Sequence, residues 1–234
     1  MTAGHGAGTG LPGGGQAFRS LEELTAEQVA ARLNLEPHRE GGFFRETYRS
    51  PFWVLTEGGP RATSTVILYL LTTENPSRFH RLRFDEVWCY HAGAPAEMVL
   101  LAPEGVLREA TAGRGPVTDG RSPATTDGET TAGETTAGDA VTRQVIGLDA
   151  PQLVVPGGHW LASRVVSEDQ ADWGEGWAPE RRWTADRRAT PESRWTLVSC
   201  MVTPGFEYGD FELADREALL AAYPQARRVI QALT

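Results

Sequence analysis

From residue 42 to residue 202 the chain returns again and again to short runs of β-branched, aliphatic and aromatic residues, each cut off by glycine, proline or a polar cluster. No other feature constrains the fold as much, because such runs are too short for buried helices and too frequent for an alternating βαβ pattern. The spacing predicts strands over residues 42–48, 64–71, 77–83, 86–92, 97–102, 142–148, 152–155, 159–164 and 195–202. Many short strands in this order favour an antiparallel sandwich or barrel. Helices are expected only at the ends. Thr25-Ala-Glu-Gln28 is a capping box followed by Val29, Leu33 and Leu35, a pattern that stops near Pro37. Residues 215–222 are amphipathic, Pro224 interrupts, and 226–233 resume the pattern.

Three segments do not fit a packed core. Residues 1–19 read as a Gly-rich tail. Residues 111–139 form a low-complexity insertion ending in GETTAGETTAGD, and residues 167–188 form a polar, Trp-rich insertion. The rest of 20–234 reads as one domain, in keeping with a length of 234 residues. The formal charge of −9 argues against nucleic acid and against an anionic membrane surface, both of which call for basic patches. No apolar run nears the ~20 residues of a transmembrane helix. The first residues lack the basic and apolar regions of a signal peptide. The two cysteines, Cys89 and Cys200, are too few for a disulfide framework, so a cytoplasmic location is expected. Walker A, GxGxxG, GxSxG and HExxH motifs are missing.

The densest chemistry lies in Ser77-Arg-Phe-His80-Arg-Leu-Arg-Phe-Asp-Glu86-Val-Trp88-Cys89-Tyr90-His91-Ala-Gly93. Strand alternation puts Glu86, Trp88 and Tyr90 on one face and Val87, Cys89 and His91 on the other. A carboxylate beside two aromatic rings in a partly apolar pocket has its pKa raised, which suits proton transfer. His80 is placed to point into the same pocket. The alternative is that Glu86 pairs with Arg81 or Arg83 and only stabilises the sheet. In PHREGGFFRETY, Gly41-Gly42 permits positive φ or close backbone approach. Arg45 there is either a ligand for an anionic group inside a barrel or half of a cross-strand Arg–Glu pair. The Pro-x-Gly turn at Pro156–Gly158 delivers His159 to the mouth, as a ligand contact or a solvated histidine. The aromatics of TPGFEYGDFE are expected to seat the C-terminal helices, and Cys200 to be a small buried hydrophobe.

Taken in order, PHREGGFFRETYRS, SRFHRLRFDEVWCYHAG, VVPGGHW and TPGFEYGDFELADREALLAAYP resemble the cupin superfamily, in particular the group known as domain of unknown function 985 or Cupin 5. The resemblance implies an all-β jelly-roll (double-stranded β-helix) barrel with flanking N- and C-terminal helices, of the type also seen in dTDP-sugar epimerases, built as a homodimer. Of the first general cupin motif, similar to G(X)5HXH(X)3–4E(X)6G, Glu86 and Gly93 match the end and His80 stands alone. Of the second, similar to G(X)5PXG(X)2H(X)3N, Pro156 and Gly158 match, but the histidine position falls on Leu161.

Three readings follow. The first is a metal-independent epimerase- or isomerase-type enzyme on a sugar-like or carbonyl-bearing molecule. His80 and Glu86 would be catalytic; Arg45, Trp88, Tyr90 and His159 would bind substrate. The second is a non-catalytic binding or sensor protein. The third is a metal-dependent oxygenase or isomerase. No cofactor is expected under the first two readings, and a divalent metal belongs only to the third. Expected partners are a small-molecule ligand and a second copy of the chain.

Overall fold

The computed structural model describes residues 20–103, 140–166 and 194–234. The tail at 1–19 and the insertions at 111–139 and 167–188 lie outside the described residues.

The chain enters through α1 (Ala26–Leu33). Its capping box forms as expected: the Thr25 side chain accepts from Gln28 N, and the Gln28 side chain accepts from Thr25 N. The helix ends before Pro37 because Asn34 turns left-handed, with φ 54°. Among the described residues thirteen strands follow: β1 (Glu36–Pro37), β2 (Phe43–Arg49), β3 (Trp53–Thr56), β4 (Gly59–Ala62), β5 (Thr65–Thr72), β6 (Ser77–Leu82), β7 (Asp85–Gly93), β8 (Ala96–Leu101), β9 (Val141–Ile146), β10 (Gln152–Val155), β11 (Trp160–Val165), β12 (Trp195–Thr203) and β13 (Phe211–Leu213). The chain closes with α2 (Arg216–Ala222) and α3 (Arg227–Ala232). The β3–β4 hairpin was hidden by Pro60, which argues against a central strand but is tolerated in an isolated pair.

Among the described residues all pairing is antiparallel: a six-stranded sheet ordered β1-β2-β5-β12-β7-β10, a five-stranded sheet ordered β13-β6-β11-β8-β9 and the separate β3–β4 pair. The inner faces share a core that includes Tyr69, Leu71, Trp88, Met98, Leu161 and Val198. Helix covers part of each outer face. Under α1 lie Leu70, Trp195 and Leu197, and the Trp195 indole donates to Leu24 O at 3.0 Å. Under α2 and α3 lie Phe79, Val99, Leu101 and Ala162, packed by Leu219, Tyr223 and Ile230. Alternation therefore runs apolar on both faces of the central strands, as a doubly covered sheet requires.

Candidate functional site

A cavity of about 260 Å³ opens at one end of the two sheets. β5 supplies Thr65, Ile67 and Tyr69; β12 supplies Cys200 and Val202; β6 supplies His80 and Leu82; β7 supplies Glu86. The loop between β1 and β2 brings His38 and Glu40, and the segment after β12 brings Phe206, Glu207, Tyr208 and Phe211. Gly41 and Gly42 make that loop possible, with φ of 120° and 67°. A Cβ on Gly42 would stand 2.8 Å from the Tyr69 ring and 2.7 Å from Leu70 O. The loop thus lies directly on Tyr69, whose hydroxyl donates to Gly41 O at 2.8 Å.

The floor of the cavity is a cluster of buried titratable groups. His80 Nδ1 is 2.8 Å from Arg78 O, and a carbonyl only accepts, so Nδ1 carries a hydrogen. Its Nε2 faces Glu40 Oε2 at 3.3 Å, while Glu40 Oε1 accepts from the Ser77 hydroxyl at 2.9 Å. Burial pushes the Glu40 carboxyl up and the His80 imidazole down. Both shifts disfavour the charged form of the group concerned. Burial also lowers His38, whose Nδ1 lies 3.5 Å from Glu40 Oε2.

Glu86 completes the floor. Burial pushes its carboxyl up to about 7, against a smaller opposite pull from His80; Glu40 raises it further. The Cys200 thiol favours the carboxylate by hydrogen bonding, and burial holds that thiol well above its ordinary range, so it stays protonated. The Trp88 indole N–H is directed so as to favour the Glu86 carboxylate, yet it makes no hydrogen bond by strict geometry. Trp88 acts on Glu86 as a nearby dipole rather than a bonded partner.

The residues singled out from the sequence are distributed unevenly around this cavity. His80 and Glu86 line it together. Trp88 and Tyr90 share the inward face of β7 with Glu86, as alternation predicted, but neither reaches the cavity surface. Trp88 is fully buried, edge-on to Tyr69, and the Tyr90 hydroxyl donates to Gly93 O at 2.5 Å. Arg45 is the main correction. It is exposed on the outer side of β2, and its Nε donates to Leu33 O at 2.9 Å. The cavity arginine is Arg49. The register of β2 on β5 shifts between Glu46 and Tyr48, so Thr47 is an extra residue and the inward face passes from Phe44 and Glu46 to Arg49. Strict alternation from Phe44 has no means of anticipating that bulge.

His159 lies apart from the main cavity. It borders a second void of about 10 Å³, to which His80 and Glu86 also contribute, and its Nδ1 is buried without a partner. Phe206, Tyr208 and Phe211, expected to seat the helices, instead form an aromatic wall. Phe211 stacks on the His80 ring at 5.6 Å, and Phe206 and Tyr208 meet edge-on at 5.1 Å. The repeated aromatics around Gly205 and Gly209 were the available signal. Their direction depended on β13 pairing with β6, which places Phe211 opposite Leu82.

A zinc-like site needs about four donors converging at ~2.0–2.3 Å. Among the described residues no group of three or more His, Cys, Asp or Glu side chains is arranged to hold an ion. Glu40 is committed to Ser77 and His80, and His80 Nδ1 to a carbonyl, so this donor set does not fit a cupin metal as it stands.

Two facing antiparallel sheets with a polar cluster at one open end, and helices outside, define a cupin. The chain belongs to the cupin superfamily group Cupin 5 (DUF985), whose family model matches residues 27–214. It is similar to a hypothetical protein from Leishmania major, at 30% identity and a TM-score of 0.62, covering 90% of this chain and 99% of that one. Protein SO0799 from Shewanella oneidensis is 31% identical with a TM-score of 0.58, covering 90% and 98%. The uncharacterized protein YML079W of Saccharomyces cerevisiae is 26% identical over 196 residues, 79% of this chain and 72% of the yeast protein.

Proposed function

We propose that the chain binds a sugar-like or carbonyl-bearing small molecule in the cavity and moves a proton on it without a metal, as an epimerase- or isomerase-type enzyme. The observation that carries this reading is Glu86, a buried carboxyl at the cavity surface pushed up to about 7, beside the Glu40–His80 pair. A group titrating near the working pH is both present as base and able to return the proton. Glu86 takes a proton from the carbon next to the ligand carbonyl, and the proton on Glu40 is donated to the carbonyl oxygen as the enol forms. Reversal with delivery to a different face or carbon completes the exchange, with no net redox change. Only a protonated Glu40 can donate, and burial raises its carboxyl in that direction.

The test is deuterium uptake. Small aldoses and ketoses incubated with the protein in D₂O are expected to gain deuterium at the carbon next to the carbonyl. Glu86→Gln should lower that uptake at least a hundredfold while the melting temperature shows an intact fold. Uptake that survives the substitution would show that Glu86 is not the base. The alternative reading is a binder without turnover, supported by the apolar walls Phe44, Ile67 and Val202. It predicts that a ligand raises the melting temperature with no deuterium incorporated.

We also read the chain as a homodimer in a reducing compartment. Val154 and Met201 on the outer side of the six-stranded sheet are 52% and 37% exposed, and Trp53 and Leu55 of the β3–β4 hairpin 62% and 81%. Apolar side chains of this size left in water fit a covered face. Both cysteines are free thiols, and no helix among the described residues is long and apolar enough to cross a membrane. Light scattering on purified protein is expected to give twice the 25.4 kDa chain mass, and a monomer at micromolar concentration would refute the dimer.

A further inference from the structure

The charges around the cavity are lopsided. Glu36, Glu46 and Glu207 line it, with Glu40 and Glu86 buried at its floor, against one arginine among the described residues, Arg49. That arginine is already spent. Its Nε and one terminal nitrogen donate to the two Glu46 oxygens at 3.0 and 2.8 Å, and the other terminal nitrogen donates to Glu207 at 2.9 Å. The other cations near the mouth are committed as well: Arg61 to Asp210, Arg81 to Glu212 and Arg83 to Glu57. Arg39 stands outside the lining with its guanidinium 4.3 Å from the centre of the Tyr208 ring. Among the described residues, an anionic ligand entering here would meet carboxylates and no free cation.

The walls point the same way. Phe44, Tyr69, Phe206, Tyr208 and Phe211 present ring surface to the cavity. Aromatic faces beside carboxylates attract a cation through the ring quadrupole and through direct Coulomb attraction. At about 260 Å³ the space falls slightly below the ~300–1,000 Å³ of drug-sized sites, so the occupant is small.

Resting on the reading that this cavity is the ligand site, we propose that it selects a small amine-bearing ligand of about hexose size, its ammonium held between the Glu46–Glu207 rim and the aromatic wall. The amine displaces Arg49 as partner of one rim carboxylate, so selectivity comes from charge already built into the mouth.

Glucosamine, glucose and glucuronate share one pyranose ring and carry charges of +1, 0 and −1. Each is titrated into isotope-labelled full-length protein while amide and imidazole resonances of His38, Tyr69, His80 and Phe211 are followed. Glucosamine is expected to bind about tenfold tighter than glucose, with glucuronate weakest, and the gap should shrink as salt rises. The double variant Glu46→Gln, Glu207→Gln removes both rim carboxylates and frees Arg49. It should reverse the order in favour of glucuronate. Glucuronate binding as tightly as glucosamine in the parent protein, with cavity resonances moving, would overturn the charge selection and leave the cavity as the ligand site. No movement of cavity resonances with any of the three at 50 mM would overturn both.

Discussion

Replacing Glu86 by glutamine is expected to make the protein more stable than its parent at pH 8 and to flatten its response to pH. The Glu86 carboxyl is pushed from an ordinary 4.5 to about 7, chiefly by burial. Between those values the native state holds a proton that the unfolded chain has released. The free energy of unfolding therefore falls as pH rises through that window. The contribution of the protonated form is complete below pH 4.5 and gone above about 7. The gap between 4.5 and about 7 corresponds to about 3 kcal/mol, on the order of a hundredfold in the folding equilibrium. His38 and His80 work in the opposite sense. Their native values lie below 6.5, so they favour the native state as pH rises toward 6.5. Glu40 is raised like Glu86 and remains in the variant. The difference between variant and parent therefore isolates Glu86 and its coupling to these neighbours. Urea unfolding at pH 5, 6, 7 and 8 measures it. A stability difference that stays constant across that range would mean that Glu86 does not titrate as a buried group.

Trp195→Ala is expected to cost about 3–5 kcal/mol, the range for removing a buried aromatic side chain. Trp195 is 1% exposed, packs against α1 with Leu70 and Leu197, and donates its indole hydrogen to Leu24 O. It also fills the space beside Gly93, where a Cβ would come within 2.7 Å of its ring. Alanine leaves a cavity and an unpaired carbonyl under α1. That helix leads through β1 into the loop that holds His38 and Glu40, so loosening it also reaches the site. The urea midpoint should fall with the slope unchanged, and the His38 and His80 imidazole resonances should broaden or shift. A loss below 1 kcal/mol would show that α1 is held by other contacts.

The part of the site on regular strands was legible in the sequence. His80 on β6 and Glu86 on β7 project to the same cavity because a period of two fixes which side chains face inward. The same rule put Trp88 and Tyr90 behind Glu86 but gave no depth, and both stop short of the cavity surface. Glu40 was visible only as part of PHREGG. Its role depends on two positive-φ glycines folding the loop back over Tyr69, so that its carboxyl meets Ser77 and His80 from another strand. Arg45 lies before the bulge on the outward face, opposite to Phe44 and Glu46, so placing it inside takes the wrong face of β2 as inward; Arg49 was missed because the bulge at Thr47 turns it inward.

The sequence by itself determined the class of the fold, the helices at its ends and the strand carrying Glu86. These follow from local periodicity, capping and turn chemistry, which each act over a few residues. Only the tertiary structure decided that Glu40 meets His80, that Arg49 is paired at the rim and that Phe211 forms a wall of the cavity. Those outcomes depend on register between strands far apart in the chain. A single inserted residue reverses the facing of everything beyond it, and a buried carboxyl's pKa is set by partners that no short window contains.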